Sequence, residues 1–432
     1  MHDHIFCVPT HRKIESQALE AYFLEVQFAR RQCGVEMPLV IADDGTSNGE
    51  ALARHARSFP DVECYYFTRQ EVVGLYDVIS SRLTAAERDA FRRVYPDGRV
   101  NYGNTFNKLY VLASVLGAST IHRRDSDTYA QATPAPPGHI FPIELELRHL
   151  GKETPRGPGL LVGGGYRGKW SIDIDHLVAD EDKRDLWRFF NTLSIPDHEH
   201  AFVLEEHIHG NNVEYDGDRL EPGSIKEPDC GNLAMTRLFE LLPCSPVPYA
   251  LGSDYFTFAC IIECNLGRVY HNRATVHAYT PCRYDNPDKL FNYWRATACL
   301  VIYQDFYRSY YRHLAPRASK LIGPTSSLAQ VAELVTETLD EFERQFPATS
   351  ERVLARLSDL YEVIGKQNEP ALTEALLRVE NDQLDLVRLI RESVKDHLQL
   401  IRAWKAVTAS ARLAADTHTA REILAAARLP RS

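Results

Sequence analysis

Short apolar runs and longer amphipathic ones alternate along the first third of the chain. Residues 5–9 ("IFCVP") and 38–42 ("PLVIA") have strand length and polar borders. Between them, 15–33 ("ESQALEAYFLEVQFARRQC") repeats apolar residues at helical spacing. Residues 62–68 ("VECYYFT") predict a third strand. In 104–117 ("NTFNKLYVLASVLG"), Phe106, Leu109, Tyr110, Ala113 and Leu116 share one helical face, and Gly117 supplies the stop. "STI" at 119–121 then opens a strand running into Asp125. This alternation predicts an α/β domain built on a mostly parallel sheet.

The pattern changes twice. Residues 131–158 are rich in proline and glycine and predict a loop crossing, and 159–280 mix short strands with loops. From Asn286 the chain becomes helical in period: "LFNYWRATACLVIYQDFYRSYYRHL" is long and aromatic. The next run has a serine cap near Ser326 and a stripe of Leu328, Val331, Val335, Leu339, Phe342 and Phe346. Helices are predicted to continue from Leu354 to about Leu429. The expected organisation is an α/β domain over 1–285 and an all-helical region over 286–432, with no internal repeat. The apolar stripe of these helices reads most simply as core; its aromatic opening, Phe291 to Tyr311, could instead pack on a second copy as a homodimer.

A chain of 432 residues exceeds the usual single-core ceiling, which agrees with two parts. Hydrophobic content of 44% and charged content of 25% are ordinary globular values, and a net charge of −10 argues against a nucleic-acid binder. No apolar run is long enough to span a bilayer and the first residues lack a signal-peptide pattern, so a cytoplasmic protein is expected. The nine cysteines are scattered, and the close pair Cys260 and Cys264 lacks zinc spacing, so reduced thiols are expected.

The chemistry concentrates at predicted strand ends. "IHRRDSDTYA" places Asp125 and Asp127 where a strand should finish, and ligands of open α/β sheets bind there. Alternate residues of an extended segment share a face, so both carboxylates could reach one hard cation such as Mn2+ or Mg2+. An acidic surface turn is the alternative for so short a motif. "VIADDGTSN" puts Asp43, Asp44 and Gly45 at another strand end, where a carboxylate can accept from a ribose hydroxyl or a base imide. Asp-Gly also forms ordinary turns.

Taken in order, "CVPTHR", "ADDGTSN", "GNTFNK", "RRDSD", "DCGNLAM", "GSDYF" and "RVYHNRATVHAY" resemble the landmarks of GT-A glycosyltransferases. The likeness is to the inverting, synthase-like family and covers residues 5–280. It implies a Rossmann-like GT-A domain in which Pro9, Thr10 and Arg12 line the nucleotide entrance. Asp43 would bind base or ribose with Asp44 beside it, and Asn104, Asn107 and Lys108 would flank the nucleotide. Asp125 and Asp127 would form the metal and diphosphate site, His277 would complete it with His271 as competitor, and Gly231 and Asn232 would shape the donor-sugar pocket. Asp254 stands where the family carries its base.

The chain departs from that family in three respects. His122, Arg123 and Arg124 replace apolar residues before the acidic pair. Either alternate members face solvent, or one arginine, Arg124, contacts the diphosphate or an acidic sugar. "SDY" replaces the commoner "EDY", which shortens the reach of the base. No Q-x-x-R-W motif follows, which implies transfer of one sugar rather than polymerisation. The resemblance implies a nucleotide-sugar donor, UDP-sugar by default, and a small natural-product acceptor. A sugar-phosphate nucleotidyltransferase is the rival, but "PTHRKIESQ" lacks the glycine-rich loop it needs. A non-catalytic nucleotide-sugar-binding relative is the third reading.

Two motifs stand apart. "DHEHAFVLEEHIHG" gathers His198, His200, His207 and His209 with Glu205 and Glu206, either a polar acceptor-side loop or a metal site. Gly163–Gly165 reads as a turn or as a lid carrying Arg167, Lys169 and Trp170.

Overall fold

The computed structural model describes residues 2–45, 48–130, 141–168, 174–195, 197, 200–204, 218–278, 286–346, 351–367 and 369–430. Among these, nine strands form one mixed sheet: β1 His4–Thr10, β2 Leu39–Asp43, β3 Cys64–Thr68, β4 Thr120–Arg123, β5 Thr128–Ala130, β6 Leu161–Arg167, β7 Leu220–Pro222, β8 Leu233–Thr236 and β9 Arg268–His277. The spatial order is β3-β2-β1-β4-β8-β6-β9-β5, with β7 paired to β9. The first four strands are mutually parallel, whereas β8 runs antiparallel to β4 and β6, and β5 antiparallel to β9. The expected α/β class with a helical C-terminal region is therefore the observed one. Its parallel part is confined to the half built from β1 to β4 and the β6–β9 pair.

Alternation explains the layers. In β1, Ile5 and Cys7 face one apolar cluster while Phe6 and Val8 face another; in β2, Val40 and Ala42 oppose Leu39 and Ile41 in the same way. A strand buried on both faces reads as a continuous apolar run, which is how "IFCV" and "LVIA" read. The helices Ser16–Cys33 and Gly49–Ser58 cover one face; Arg69–Ser80, Ala85–Phe91 and Tyr102–Val115 lie on the other. The chain thus steps outward from β1 to β3, then returns to set β4 on the other side of β1. That reversal falls at the carboxyl ends of β1 and β4, the position where such sheets place their ligand crevice.

The helical region closes over the same core as the sheet. The helix Pro370–Ala414 crosses three of the helices on that face and sends three side chains to the backbone of residues 239–243. Trp404 Nε1 donates to Phe239 O (2.7 Å), Thr408 Oγ1 to Glu240 O (3.0 Å), and His397 Nε2 lies 3.0 Å from Pro243 O. The aromatic stretch of Pro287–Leu321 is spent inside the chain: Trp294, Phe306, Tyr307 and Tyr310 are all buried. These side chains form core within the chain, the first of the two sequence readings. Beyond the helix His418–Ala427, Leu429 N donates to Cys64 O (2.9 Å), and Arg428 bridges to Tyr65 and pairs with Glu63 (2.8 Å).

Several local expectations are corrected. Part of the proline-rich crossing is a helix, Pro142–His149, started by proline at its first turn. Gly163–Gly165 lies inside β6, not in a lid. A Cβ at Gly164 would come 2.7 Å from both Nδ1 and O of His271, so the close approach of β9 requires glycine. Lys169 and Trp170 lie outside the described residues. Ser327, not Ser326, caps its helix by accepting from Gln330 N at 3.3 Å. Every described cysteine is a free thiol. No described helix is long and apolar enough to cross a membrane.

Candidate functional site

Strand register gathers the acidic residues. Cys7 pairs with Arg123 across β1 and β4, and Thr10 with Asp43 across β1 and β2, so both acidic motifs leave the sheet at one rim. His277, the last residue of β9, pairs with Thr128, and Ala278 N donates to Asp127 O (2.7 Å). Gly231 and Asn232 precede β8, whose Leu233 pairs with Arg123. Residues more than one hundred positions apart thus meet at the crevice.

The turn after β4 is tightly held. Thr128 Oγ1 accepts from Asp125 N (2.8 Å), and the Tyr22 hydroxyl lies 2.8 Å from Asp125 O and 2.9 Å from Thr128 O. Asp127 Oδ2 accepts from Arg12 Nη1 (2.8 Å) and lies 3.4 Å from His277 Nε2. Asp125 Oδ1 accepts from Arg123 Nη2 (2.6 Å). Arg123 is buried, stacks 3.7 Å over the Phe106 ring, and also lies 3.6 Å from Asp254 Oδ2. One guanidinium therefore stands between Asp125 and Asp254.

Asp254 sits on a short 3-10 turn whose position is fixed by the helix Tyr102–Val115. Asn107 donates to Cys244 O (3.0 Å) and accepts from Cys244 N (2.8 Å). Gly103 N donates to Ser253 Oγ (2.9 Å), and a Cβ at Gly103 would fall 1.9 Å from Ser245 O. Asn107 is thus consumed as a clamp on the Asp254 segment and is fully buried. Asn104 holds Arg93 O (2.7 Å). The remaining helix residue, Lys108, reaches the rim and donates to Asp44 Oδ2 (2.5 Å).

Asp43 is buried and accepts from Asn48 Nδ2 (2.8 Å), Tyr66 Oη (3.0 Å) and Gly45 N (3.2 Å). Pro9 and Thr10 end β1 as buried residues, and Thr10 Oγ1 folds the chain by bonding both N and O of Arg12. Asn232 donates to Gly165 O (2.7 Å) and Arg273 O (2.9 Å), while its Oδ1 is buried without a partner.

Arg124 does not join this group. It is fully buried on the opposite side of the strand, where it pairs with Glu25 and with Glu146 (2.9 Å) and donates to Arg123 O (2.7 Å). None of His122, Arg123 and Arg124 faces solvent, so neither sequence expectation describes the triplet. Partners offset their burial instead: Arg124 is paired with the two glutamates, and His122 Nδ1 lies 2.7 Å from Glu146 Oε2. His271 is buried away from the aspartates. His200 stacks on Trp187 and lies 3.0 Å from Ile195 O, a core role; the other histidines of that motif and Glu205 and Glu206 fall outside the described residues.

Two participants had no assignment from sequence. Arg123 hid among a basic triplet. Asp229 opens "DCGNLAM" with no signal of its own; its Oδ1 accepts from Gly231 N (2.7 Å). Burial, reinforced by the charge of Asp125, pushes its carboxyl up to about 7. Burial also raises Asp254, against Arg123, which lowers it, while Asp125 raises it further. The rim is therefore short of positive charge.

Carboxylates and one imidazole suit a hard or borderline divalent cation, so the donor chemistry fits Mn2+ or Mg2+. Among the described residues, however, no three such donors converge as they stand, and Arg12 and Arg123 bond the two carboxylates.

A mixed α/β sheet with an acidic crevice at its topological switch point and a helical region across one face defines the class. The chain belongs to a family of unknown function (DUF6271), whose model matches residues 4–420. No curated protein matches the sequence. Among solved structures, it is similar to a mannosyltransferase from Pyrobaculum calidifontis in complex with GDP-Man and Mn2+. Identity is 12%, over 89% of this chain and 87% of that one, with a TM-score of 0.38. It is also similar to a mycobacterial protein at 12% identity, over 69% of this chain and 75% of that one, with a TM-score of 0.35.

Proposed function

We propose that the chain is a glycosyltransferase that moves a single sugar from a nucleoside-diphosphate donor to the hydroxyl or amine of a small acceptor, with inversion. UDP-sugar is the first donor to try. The observation that carries this reading is the meeting of Asp125, Asp127, Asp229, Asp254 and His277 with Arg12 and Arg123 at the crevice between β1 and β4.

In this reading Asp43, held by Asn48 and Tyr66, faces the base or ribose, and Lys108 with Asp44 borders the nucleotide. Asp125, Asp127 and His277 would hold Mn2+ or Mg2+, which when bound supplies charge to offset that of the departing diphosphate. Arg12, more than a third exposed, has a planar fork suited to phosphate oxygens. Asp254 takes the acceptor proton. Its raised carboxyl makes it a better base than an exposed aspartate, and such a base contributes about 10²–10⁴-fold. Arg123, 3.6 Å away, opposes that rise and so favours the ionised form. Residues 1–285 would act as the transferase unit and 286–432 as its brace, acting in the cytoplasm.

The test is a thermal-shift panel of UDP, GDP and other nucleotides with and without Mn2+, using the intact chain. A bound nucleotide raises the melting temperature by mass action. Asp127→Asn should abolish the Mn2+-dependent part, and Asp254→Asn should spare binding while removing transfer to any acceptor found. If no nucleotide shifts the melt with or without Mn2+, the reading fails.

A further inference from the structure

The side chain of Arg12 spans the crevice. Its backbone is pinned at the end of β1: Thr10 Oγ1 bonds Arg12 N (3.1 Å) and O (2.7 Å), and Asn48 Nδ2 donates to the same carbonyl (3.1 Å). From this anchor the guanidinium crosses to Asp127 Oδ2 (2.8 Å), the oxygen that also lies 3.4 Å from His277 Nε2. Arg12 therefore sits on the lone pairs a cation would need. Asp127 is largely covered, whereas Arg12 keeps more than a third of its side chain in water, so of the two it is Arg12 that can leave.

We infer that Arg12 is a displaceable counter-ion: it neutralises Asp127 in the free protein, competes with a divalent cation for that carboxylate, and transfers to the phosphates of an arriving nucleoside diphosphate. This rests on the nucleotide-sugar reading above and adds an order to it. A part-exposed pair contributes modestly, so the competition is one that a dianionic ligand can reverse. A guanidinium released from a carboxylate finds a matching partner in phosphate, because both present two oxygens to its fork. Cation and diphosphate then bind cooperatively, each removing the obstacle to the other. Before the donor arrives, Asp127 and Arg12 thus stand charge against charge.

The experiment measures Mn2+ binding to the full chain by the electron paramagnetic resonance signal of free Mn2+, at neutral pH and low salt. Arg12→Gln should bind Mn2+ alone at least threefold more tightly than wild type. The gain should vanish on an Asp127→Asn background, because both variants act on one contact. UDP or GDP should tighten Mn2+ binding more in wild type than in Arg12→Gln. Melting curves check the fold, and Arg12→Lys, which keeps charge without the fork, should fall between the two. Equal or weaker Mn2+ binding by Arg12→Gln, with Asp127→Asn still defective, overturns the inference and leaves the proposed function standing. If neither protein binds Mn2+ with or without nucleotide, the inference and the metal part of that function fall together.

Discussion

Replacing Arg124 by methionine tests how the acidic turn is supported. The substitution keeps much of the apolar stem and removes the charge from a site with no solvent access. Glu146 would retain His122 at 2.7 Å, but Glu25 would keep only the Ile143 amide at 3.2 Å. A buried carboxylate with no counter-ion takes up a proton instead. Measured from the ordinary glutamate value of 4.5 in the unfolded chain, neutralisation at pH 7 spans 2.5 pH units, or at most about 3.4 kcal/mol, less the part by which burial already raises Glu25 beside Arg124. That lies within the ~3–5 kcal/mol typical of a broken buried pair. At pH 5 the same argument leaves about 0.8 kcal/mol, because the unfolded carboxyl is then already about one quarter protonated. Unfolding entropy for 432 residues at ~2.1 cal/mol/K each is about 0.9 kcal/mol/K, so the deficit should read as about 4 °C in Tm at pH 7 and about 1 °C at pH 5. Scanning calorimetry at both pH values is the assay. The double variant Arg124→Met/Glu25→Gln should recover most of the loss. A deficit of equal size at both pH values would refute the reasoning, as would one the double variant does not repair.

Other outcomes follow from the same geometry. Gly231→Ala would bring a Cβ within 2.4 Å of Thr128 Oγ1, the atom that holds Asp125 N, so a loss of about 1–3 kcal/mol in urea unfolding should accompany weaker Mn2+ binding. Unchanged stability would mean the turn is looser than described. His397 is buried and its imidazole is pushed down from 6.5 to about 4 by loss of hydration, so it folds neutral. Its contribution is complete above pH 6.5 and is lost as the pH falls towards 4, up to about 3 kcal/mol. His397→Gln should flatten that limb of the Tm profile, and an unaltered slope would exclude His397 as its source.

The strands and long helices could be read from pattern because burial on both faces or on one face imposes a period. β1, β2 and the helix Ser16–Cys33 fall within about a residue or two of expectation. The acidic residues at strand ends could be read for the same reason: a strand's end is visible even when its neighbours are not. Side-chain direction at the rim could not. Arg123 and Arg124 are adjacent and chemically identical, yet a strand turns them to opposite faces, and only Glu25 and Glu146, distant in the chain, decide which one is buried for structure. Asn107 looked like a nucleotide ligand because its motif did, but Cys244, 137 positions away, takes both ends of its amide. The antiparallel insertion of β8 has no sequence signal, because "LAMT" is too short to carry a direction.

The bridge between Arg428 and Tyr65 has a bearing on solubility. β3 is the outermost strand on its side of the sheet, and an open strand border templates pairing with a stranger's backbone. Leu429 N occupies the Cys64 carbonyl, so the segment Arg428–Leu429 acts as a guard rail along that border. A protein trimmed before Arg428 would keep its crevice intact and yet be expected to stick to itself.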